Sequence, residues 1–449
     1  MLFTWSYILL LASSTAVYYL FFKKHQIAFL NILSLGLIAY WSLPSAALVT
    51  TLTLTTFFLS KSRKKLYKYS GVALHILALL LLKTELLWVG KEVQVSTWTF
   101  LGLSYFSLQN ISVLLSTNQQ LSLNQLFLGN TFFSRFVAGP ILTAKDFTPL
   151  KSEVKFNFDN LASGTQRIIF GLGKKLILAD RLSIITSNIF EPTNHQNPGF
   201  SIILGSLLFT LQMYLDFSAY SDIAIGSAKL FGIDFKENFK LPFRSKTVTE
   251  YWRRTHISLI EWLTQHLYYP VVYALRKNAL LSVTVGILST FIISGIWHGN
   301  HIGYIIWGGI NALYLVFEFW GRKKLHITQK SKLGVMITLT LVSISNFFFL
   351  AKSWSNITFH LTSLFQNNFF PSDWMVDFIA ITGNGGHFLQ QYNLLETASL
   401  LLLYFSFESK LEKLSRKNKF SYIYLTTALL AILFFGYFNA GDEFIYVQF

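Results

Sequence analysis

The chain has 449 residues, of which 52% are hydrophobic, and its formal net charge is +16. A composition this apolar excludes a soluble protein of this length, and apolar runs of membrane-spanning length recur from end to end. The chain contains no cysteine, which excludes disulfides, thiolate metal sites and an acyl-cysteine intermediate on this chain.

Twelve candidate membrane-spanning segments follow one another along the chain. They lie at 2–22, 27–43, 45–60, 72–89, 95–115, 165–190, 199–218, 279–298, 302–320, 333–351, 394–408 and 421–438. The segment 165–190 differs from the others, because a lipid-facing helix would not tolerate Lys174, Lys175, Asp180 and Arg181. The pattern predicts an all-α polytopic membrane protein with about 11–12 transmembrane helices plus re-entrant or interfacial helices.

Basic residues are concentrated in short gaps between the apolar segments. These gaps are Lys23–Lys24, Ser62–Lys68, Arg276–Lys277, Arg322–Lys324 and Lys410–Lys419. The positive-inside rule assigns such gaps to the cytoplasm, so we expect both chain ends outside and a first span that is retained. Topology thus accounts for the charge without a nucleic-acid partner, although binding of an anionic ligand stays open as an alternative.

Two stretches, 119–164 and 219–278, mix charges, aromatic residues, Gly and Pro at short range. Backbone of this kind is tolerated in a membrane protein only at the interface or around a buried cavity. Pro140, Pro242 and Pro270 would each end or kink a helix. We therefore predict re-entrant and interfacial helices around a chamber. The whole chain, 1–449, is predicted to be one domain, with N-terminal helices at 1–118, a catalytic core at 119–320 and C-terminal helices at 321–449.

A dense block of charged residues runs from Tyr214 to Pro270 beside the apolar segments. Its members are Asp216, Asp222, Glu237, Arg244, Glu250, Arg253, Arg254, His256 and Glu261. Buried charges must pair or form hydrogen bonds, so an ion-paired scaffold is the favoured interpretation for Asp216, Glu250 and Arg253. The planar guanidinium of Arg254 would also suit an anionic acyl donor that carries a group such as a pyrophosphate.

Two histidines are candidates for chemistry at membrane depth. His298 ends an apolar helix between Gly295 and Gly299, where close approach of a backbone or a substrate is possible. A neutral imidazole there could take a proton from a hydroxyl. His256 would share a helix face with Trp252 and Leu259. The alternatives are a capping or packing role for His298 and a core position bonded to a carboxylate for His256.

Other reaction classes have little support in the sequence. His298 and His301 form an H-x-x-H pair, but no H-E-x-x-H motif or carboxylate companion accompanies it, so no metal is predicted. There is also no G-x-S-x-G elbow, no Walker A motif and no dinucleotide-binding glycine fingerprint.

Several strings in the chain resemble the membrane-bound O-acyltransferase family, and within it the bacterial alginate O-acetylation branch. They are Arg135-Phe-Val-Ala-Gly-Pro140, Tyr214-Leu-Asp-Phe-Ser-Ala-Tyr-Ser-Asp222, Glu237-Asn-Phe, Glu250-Tyr-Trp-Arg-Arg-Thr-His256-Ile-Ser-Leu, Gly295-Ile-Trp-His298-Gly and Phe444-Ile-Tyr-Val-Gln-Phe449. They occur in the family's order from about residue 130 to the end of the sequence.

The resemblance implies a multi-helix fold around a tunnel through the bilayer, in a multi-pass protein of the bacterial cytoplasmic (inner) membrane. It implies that His298 matches the family's essential histidine and His256 its second conserved polar position. It also implies acyl transfer to a hydroxyl, usually on an extracytoplasmic polysaccharide, with a separate exported, esterase-like partner protein. Residues of the matching strings are the predicted substrate-binding set: Asn238, Trp252, Arg254, Trp297 and Asp216.

The resulting hypothesis is direct acyl transfer from a thioester, most simply acetyl-CoA, with no bound cofactor. His298 acts as general base on the acceptor hydroxyl, and His256 orients the acyl carbonyl or stabilises charge on its oxygen. Two alternatives stay open. One is D-alanyl transfer to teichoic acid from a carrier-protein thioester, and the other is a non-enzymatic transporter of a glycan or lipid.

Overall fold

The computed structural model describes residues 5–83, 100–116, 121–147, 154–190, 199–299, 301–324, 332–351, 353–366, 394–417 and 421–438. Parts of the predicted spans 72–89 and 95–115, and the C-terminal string 444–449, lie outside the described residues. Within the described ranges every regular element is a helix and none is a strand.

In chain order the α-helices are α1 (Trp5–Phe21), α2 (Gln26–Trp41), α3 (Leu43–Ser60), α4 (Lys65–Lys83), α5 (Leu103–Leu115), α6 (Leu123–Thr131), α7 (Phe158–Gly173), α8 (Asp180–Phe190), α9 (Gly199–Leu230), α10 (Val248–Arg254), α11 (Ile257–Leu263), α12 (Tyr269–Ala274), α13 (Ala279–His298), α14 (Ile302–Lys324), α15 (Lys332–Ala351), α16 (Trp354–Gln366), α17 (Leu394–Ser415) and α18 (Tyr422–Phe435). Turns of 3-10 helix occupy Ala144–Asp146 and Pro242–Arg244. Turns of π-helix occupy Lys174–Ala179 and Thr264–Tyr268.

Six of the described helices are long and apolar enough to cross a membrane. They contain the segments Leu43–Ser60, Lys65–Leu82, Gly199–Leu230, Ala279–His298, Ile302–Gly321 and Lys332–Ala351. Four shorter apolar helices contain Ser6–Phe21, Gln26–Trp41, Leu103–Leu115 and Tyr422–Phe435. The predicted all-α polytopic membrane fold is therefore confirmed. The predicted spans 165–190 and 394–408 lie in helices that belong to neither of these two groups.

Helix α9 is longer than the predicted span 199–218. The span was expected to end at residue 218, but the helix continues to Leu230 and carries Asp216 and Asp222 within it. Both carboxylates are buried, and both are paired with lysines from the neighbouring α7–α8 segment. The helix continues because its polar side chains point into the protein, where partners compensate their charge.

The lysine pair at 174–175 lies on the π-helical turn between α7 and α8. As predicted for a segment unsuited to lipid, Lys174, Lys175, Asp180 and Arg181 are all buried inside the protein. Lys175 Nζ lies 2.7 Å from Asp216 and 2.9 Å from Asp180. A π-helical turn inserts one extra residue, a feature often found at functional positions. Here adjacent lysines on that turn each reach a carboxylate of α9.

Short helices were predicted for the polar stretch 219–278, and they occur only after α9 ends at Leu230. Pro242 begins a 3-10 turn, and Pro270 lies in the first turn of α12, directly after a π-helical turn. Helices α10 and α11 pack against each other, and α10 also packs against α14 and α15. The short helices therefore rest on the membrane-spanning bundle of α9, α13, α14 and α15.

Helices α13 and α14 approach so closely that glycines stand where backbones meet. A Cβ atom on Gly308 would lie 2.3 Å from the carbonyl oxygen of Phe291, and one on Gly295 would lie 2.3 Å from that of Tyr304. The expectation that Gly295 admits another backbone is thus confirmed. Contacts of this kind are typical of helix pairs in membranes, where small residues allow backbones to approach.

We predict that Gly308→Ala lowers the free energy of unfolding by about 1–3 kcal/mol, the usual cost of overpacking. The adjacent Gly309→Ala is the matched control, since a Cβ at Gly309 has nothing within 4 Å. Removing a helical glycine there is expected to be neutral, or stabilising by about 0.5–1 kcal/mol. Thermal unfolding of the purified protein in detergent measures both. Equal effects of the two substitutions would contradict this account of the α13–α14 contact.

Candidate active site

A narrow internal cavity of about 40 Å³ lies where α9, α13, α14 and α15 meet the short helices α10 and α11. Its described walls are Met213, Tyr214, Phe217, Phe239, Tyr251, Trp252, Thr255, His256, Leu259, Ile260, Phe291, Ser294, His298, Trp307, Asn346 and Phe349. The structure thus brings together His256 and His298, which are 42 positions apart in the sequence. Neither a carboxylate nor a lysine or arginine is among these lining residues.

His256 occupies a tight turn between α10 and α11, rather than a continuous helix as the sequence suggested. Its backbone is left-handed, with φ 44° and ψ 48°. The N–H of Ile257 donates to the Asn238 carbonyl oxygen at 2.9 Å, and the N–H of Ile260 donates to the His256 carbonyl oxygen at 3.1 Å. The break turns the imidazole into the cavity, so Trp252, His256 and Leu259 share a wall without sharing a helix.

His256 lies outside the six membrane-crossing helices and is 5% exposed. Burial lowers the pKa of its imidazole to about 3, because the charged form loses its hydration. The ring packs edge-on against Phe217 at 4.7 Å and stacks on Tyr105 at 6.4 Å between centroids. The side chain is therefore neutral across the physiological pH range.

His298 is the last residue of α13 and is 4% exposed. Its ring meets Trp307 and Phe349 edge-on, with centroids 5.2 Å and 5.1 Å away. Trp307 donates from Nε1 to Asn346 Oδ1 at 3.0 Å, and Asn346 donates from Nδ2 to Thr210 Oγ1 at 3.1 Å. Aromatic rings therefore pack around the imidazole. The hydrogen bonds from Trp307 to Asn346 and from Asn346 to Thr210 connect the three helices that carry these residues. This arrangement restricts water, which strengthens electrostatic interactions inside the cavity.

The other predicted binding residues are spread over several environments. Trp252 lines the cavity, and its Nε1 donates to Asn311 Oδ1 at 3.2 Å. Trp297 stands beside His298 and packs edge-on against Tyr105, at 5.8 Å between centroids. The ring of Tyr105 therefore contacts both Trp297 and His256, linking the turn that bears one histidine to the helix that bears the other.

Arg254 and Asp216, two more of the five predicted binding residues, do not line the cavity. Arg254 Nη2 lies 2.7 Å from Glu250 Oε1, and Asp216 Oδ1 lies 2.7 Å from Lys175 Nζ. Both positions fit the ion-paired scaffold that the sequence offered as the other interpretation. The surface pair involving Arg254 is part-exposed, whereas Asp216 is 1% exposed and is held by the buried lysine.

A second, polar chamber adjoins the histidine cavity, and Tyr214 and Phe239 belong to the walls of both. Its charged walls are Arg167, Lys174, Asp222, Glu237, Glu408, Glu412 and Arg416. The hydroxyl of Tyr214 donates to Glu408 Oε1 at 2.6 Å. Asn238 lines this chamber, and its Oδ1 lies 3.3 Å from His256 Nδ1. Asn238 thus stands between the chamber and the buried histidine.

Within the part of the chain that the structure describes, no three His, Asp or Glu side chains are grouped to hold a metal ion. His301 is exposed and lies beside the ring of Tyr304, with centroids 5.7 Å apart. It is absent from the walls of the histidine cavity. The H-x-x-H pair therefore does not bring two imidazoles to one wall.

Sequence reasoning missed Glu318, which holds the start of α10. Its carboxylate accepts from the backbone N–H groups of Val248 at 2.5 Å and Thr249 at 3.0 Å, and from the Thr249 hydroxyl at 2.6 Å. Asn311, seven residues earlier on α14, holds Trp252. Polar residues at a spacing of seven on an apolar helix were the available signal, because they lie on one face.

We predict that Glu318→Ala lowers transfer activity and costs about 1–2 kcal/mol of stability, since the N-terminal donors of α10 lose their acceptor. The helix it caps leads directly into the His256 turn, so a shift there moves the imidazole. Activity in membranes and thermal unfolding in detergent test this. Glu261→Ala serves as the control, because Glu261 pairs with Lys236 in a half-exposed position. A Glu318→Ala protein as active and as stable as the control would contradict the role.

The chain matches a known family of membrane proteins. The family model of the membrane-bound O-acyltransferases matches residues 14–323, more than half of the chain. The chain is 33% identical to a probable alginate O-acetylase of Pseudomonas fluorescens over 224 residues, which cover 49% of this chain and 44% of that protein. This match spans less than half of the relative's length.

Two further relatives act on other polymers, according to their names. The chain is 30% identical to a peptidoglycan O-acetyltransferase of Helicobacter pylori, with 56% of this chain and 54% of the relative covered. It is 27% identical to a teichoic acid D-alanyltransferase of Bacillus subtilis, with 57% and 69% covered. Both names describe transfer of an acyl group, but they differ in the acyl group and in the acceptor.

Proposed function

The chain belongs to the membrane-bound O-acyltransferase family, and from this premise we propose that it moves an acetyl group from a thioester to a hydroxyl. The observation that carries the proposal is the pair of buried imidazoles on one narrow cavity. The hydroxyl oxygen attacks the acyl carbon while His298 accepts its proton. The C–O bond forms, the C–S bond breaks, and the departing thiolate receives the proton from His298.

The walls of the cavity support a small, uncharged acyl group. A volume of about 40 Å³ accepts a few atoms rather than a long chain. A D-alanyl group carries an ammonium, whose burial is costly without a carboxylate to compensate its charge. Among the described lining residues no carboxylate faces the cavity. These features favour acetyl transfer, the activity in the names of two relatives, over D-alanyl transfer, the activity in the name of the third.

We further propose acetyl-CoA as the donor and an extracytoplasmic polysaccharide as the acceptor, in the bacterial cytoplasmic membrane. The names of relatives supply the acceptor class. The positive-inside distribution of Lys and Arg gives the chain a cytoplasmic and an external side, which supports a donor on the first and an acceptor on the second. Completion of the transfer by an exported, esterase-like partner rests on the resemblance of the sequence.

The test is transfer from labelled thioesters in membranes that contain the full chain. Acetyl-CoA is expected to label the acceptor fraction, whereas propionyl-CoA and butyryl-CoA label it progressively less. A D-alanyl carrier-protein thioester is expected to give no label. If only the D-alanyl thioester labelled the acceptor fraction, the proposal would be wrong and the D-alanyl alternative would be supported. Solute flux without label transfer would replace it by the transporter alternative.

A further inference from the structure

The hydrogen bonds around Asn238 identify which atom of its side-chain amide is the oxygen. The backbone N–H of Ser258 donates to Asn238 Oδ1 at 3.2 Å, which identifies the facing atom of the amide as oxygen. The N–H of Ile141 donates to Ser258 Oγ at 3.0 Å, and that hydroxyl donates to the same Oδ1 at 2.8 Å. Two donors outside the imidazole therefore fix the orientation of the amide.

His256 Nδ1 lies 3.3 Å from this amide oxygen. An amide oxygen can only accept, so the hydrogen of the contact belongs to Nδ1. A neutral imidazole carries a single N–H, and burial keeps His256 neutral. The hydrogen on Nδ1 therefore leaves Nε2 as a bare acceptor. His256 belongs to the walls of the histidine cavity and Asn238 does not, which fits a ring whose Nδ1 is directed to Asn238 and whose opposite edge is directed to the cavity.

His256 Nε2 is buried and has no hydrogen-bond partner among the residues that the structure describes. Leaving a buried acceptor unsatisfied is unfavourable, because the atom loses its hydration and gains no partner. The left-handed backbone at a residue other than glycine adds a second cost. Both costs fall on one residue, and the carbonyl and side chain of Asn238 hold it in that conformation. Strained, unsatisfied groups in a cavity are typical of ligand-binding positions.

We propose that Asn238 is a positioning residue that fixes His256 as its Nδ1–H tautomer, so that Nε2 accepts a hydrogen bond from a substrate. The donor on the substrate is either the hydroxyl to be acylated or an amide N–H of the thioester's pantetheine arm. The role differs from the expected stabilisation of an oxyanion, because a bare nitrogen repels negative charge. The proposal rests on acyl transfer occurring in this cavity.

The first test reads the tautomer without relying on activity. The full chain is labelled with ¹⁵N-histidine, and the His256 signals are assigned by their absence in His256→Gln. We expect a protonated Nδ1 and an unprotonated Nε2 in the wild type, and a mixture of tautomers in Asn238→Ala. A protonated Nε2 in the wild type would overturn the proposal, whatever the activity of the protein. Conversely, an inactive protein with the expected signals would reject the proposed function and leave the tautomer assignment intact.

The second test compares Asn238→Ala, Asn238→Asp and the control Ser221→Ala in transfer assays. Ser221 receives only the Nδ2 contact of Asn238, at 3.3 Å, so its loss is expected to leave KM unchanged. Asn238→Ala is expected to raise the KM of one substrate about tenfold, the equivalent of one hydrogen bond. A rise for the acceptor identifies the hydroxyl, and a rise for the thioester identifies the amide.

Asn238→Asp keeps an oxygen acceptor opposite Nδ1 and is expected to restore KM toward the wild-type value. Its carboxylate stabilises the imidazolium, so the acidic limb of the pH profile is expected to move to higher pH. Unchanged KM for both substrates in Asn238→Ala would overturn the proposed hydrogen bond. Equal loss in Asn238→Ala and Asn238→Asp, in proteins that keep wild-type unfolding temperatures, would do the same.

Discussion

Replacing His298 by alanine is expected to lower the rate of acyl transfer by about 10²–10⁴-fold, the contribution typical of general-base catalysis. The imidazole is 4% exposed and ends α13 against the rings of Trp307 and Phe349. No other described lining residue except His256 has a reference pKa near neutrality. The measurement is transfer from labelled acetyl-CoA in membranes, normalised to the amount of folded protein.

His301→Ala is the matched control for this prediction. It removes the same side chain three positions further on, where the residue is exposed and outside the cavity walls. We expect His301→Ala to keep transfer within about twofold of the wild type, because surface substitutions away from a site have small effects. Near-normal transfer by His298→Ala would show that another group accepts the proton, and the proposed mechanism would be wrong.

The second large effect is expected from Asp222→Ala, which removes the shared partner of two buried cations. Asp222 Oδ2 lies 2.5 Å from Lys174 Nζ, and Oδ1 lies 2.9 Å from Arg167 Nε. Breaking a buried pair leaves a charge without compensation and costs about 3–5 kcal/mol. Thermal unfolding in detergent is expected to begin at a clearly lower temperature than in the wild type.

Asp234→Ala provides the control for this effect on stability. Asp234 pairs with Lys229 at 2.5 Å, but its side chain is 77% exposed. Exposed pairs contribute about 0–1 kcal/mol, since water and salt screen them. If both aspartate substitutions lowered the unfolding temperature equally, burial of the Asp222 network would not be a source of stability.

Sequence patterns predicted the membrane character and most helices, because length and apolarity alone decide whether a helix can cross a bilayer. They failed where charged residues lie inside the protein. The span beginning at 199 continues to Leu230, past Asp216 and Asp222. Hydropathy treats each carboxylate as a reason to end the span. Whether a partner neutralises it depends on Lys174 and Lys175, which another helix supplies.

The sequence indicated the two histidines of the candidate site, but it indicated fewer of the residues around them. Composition and motif indicated His256 and His298, since a titratable ring in an apolar segment is costly without a use. The i,i+4 spacing of Glu250 and Arg254 was a local signal for their ion pair, whereas no residue near α10 indicated that Glu318 caps it. The Glu318 contact joins α14 to α10, and the relative placement of these two helices depends on how the bundle packs.

By itself, then, the sequence determined the membrane character of the chain and indicated which side chains are candidates for proton chemistry, because both follow from residue type and local order. Only the tertiary structure decided that His256 and His298 line one cavity, and that Asn238 contacts the His256 ring. These relations depend on a left-handed turn and on the packing of four membrane helices. They are distances between remote parts of the chain, which helical periodicity does not encode.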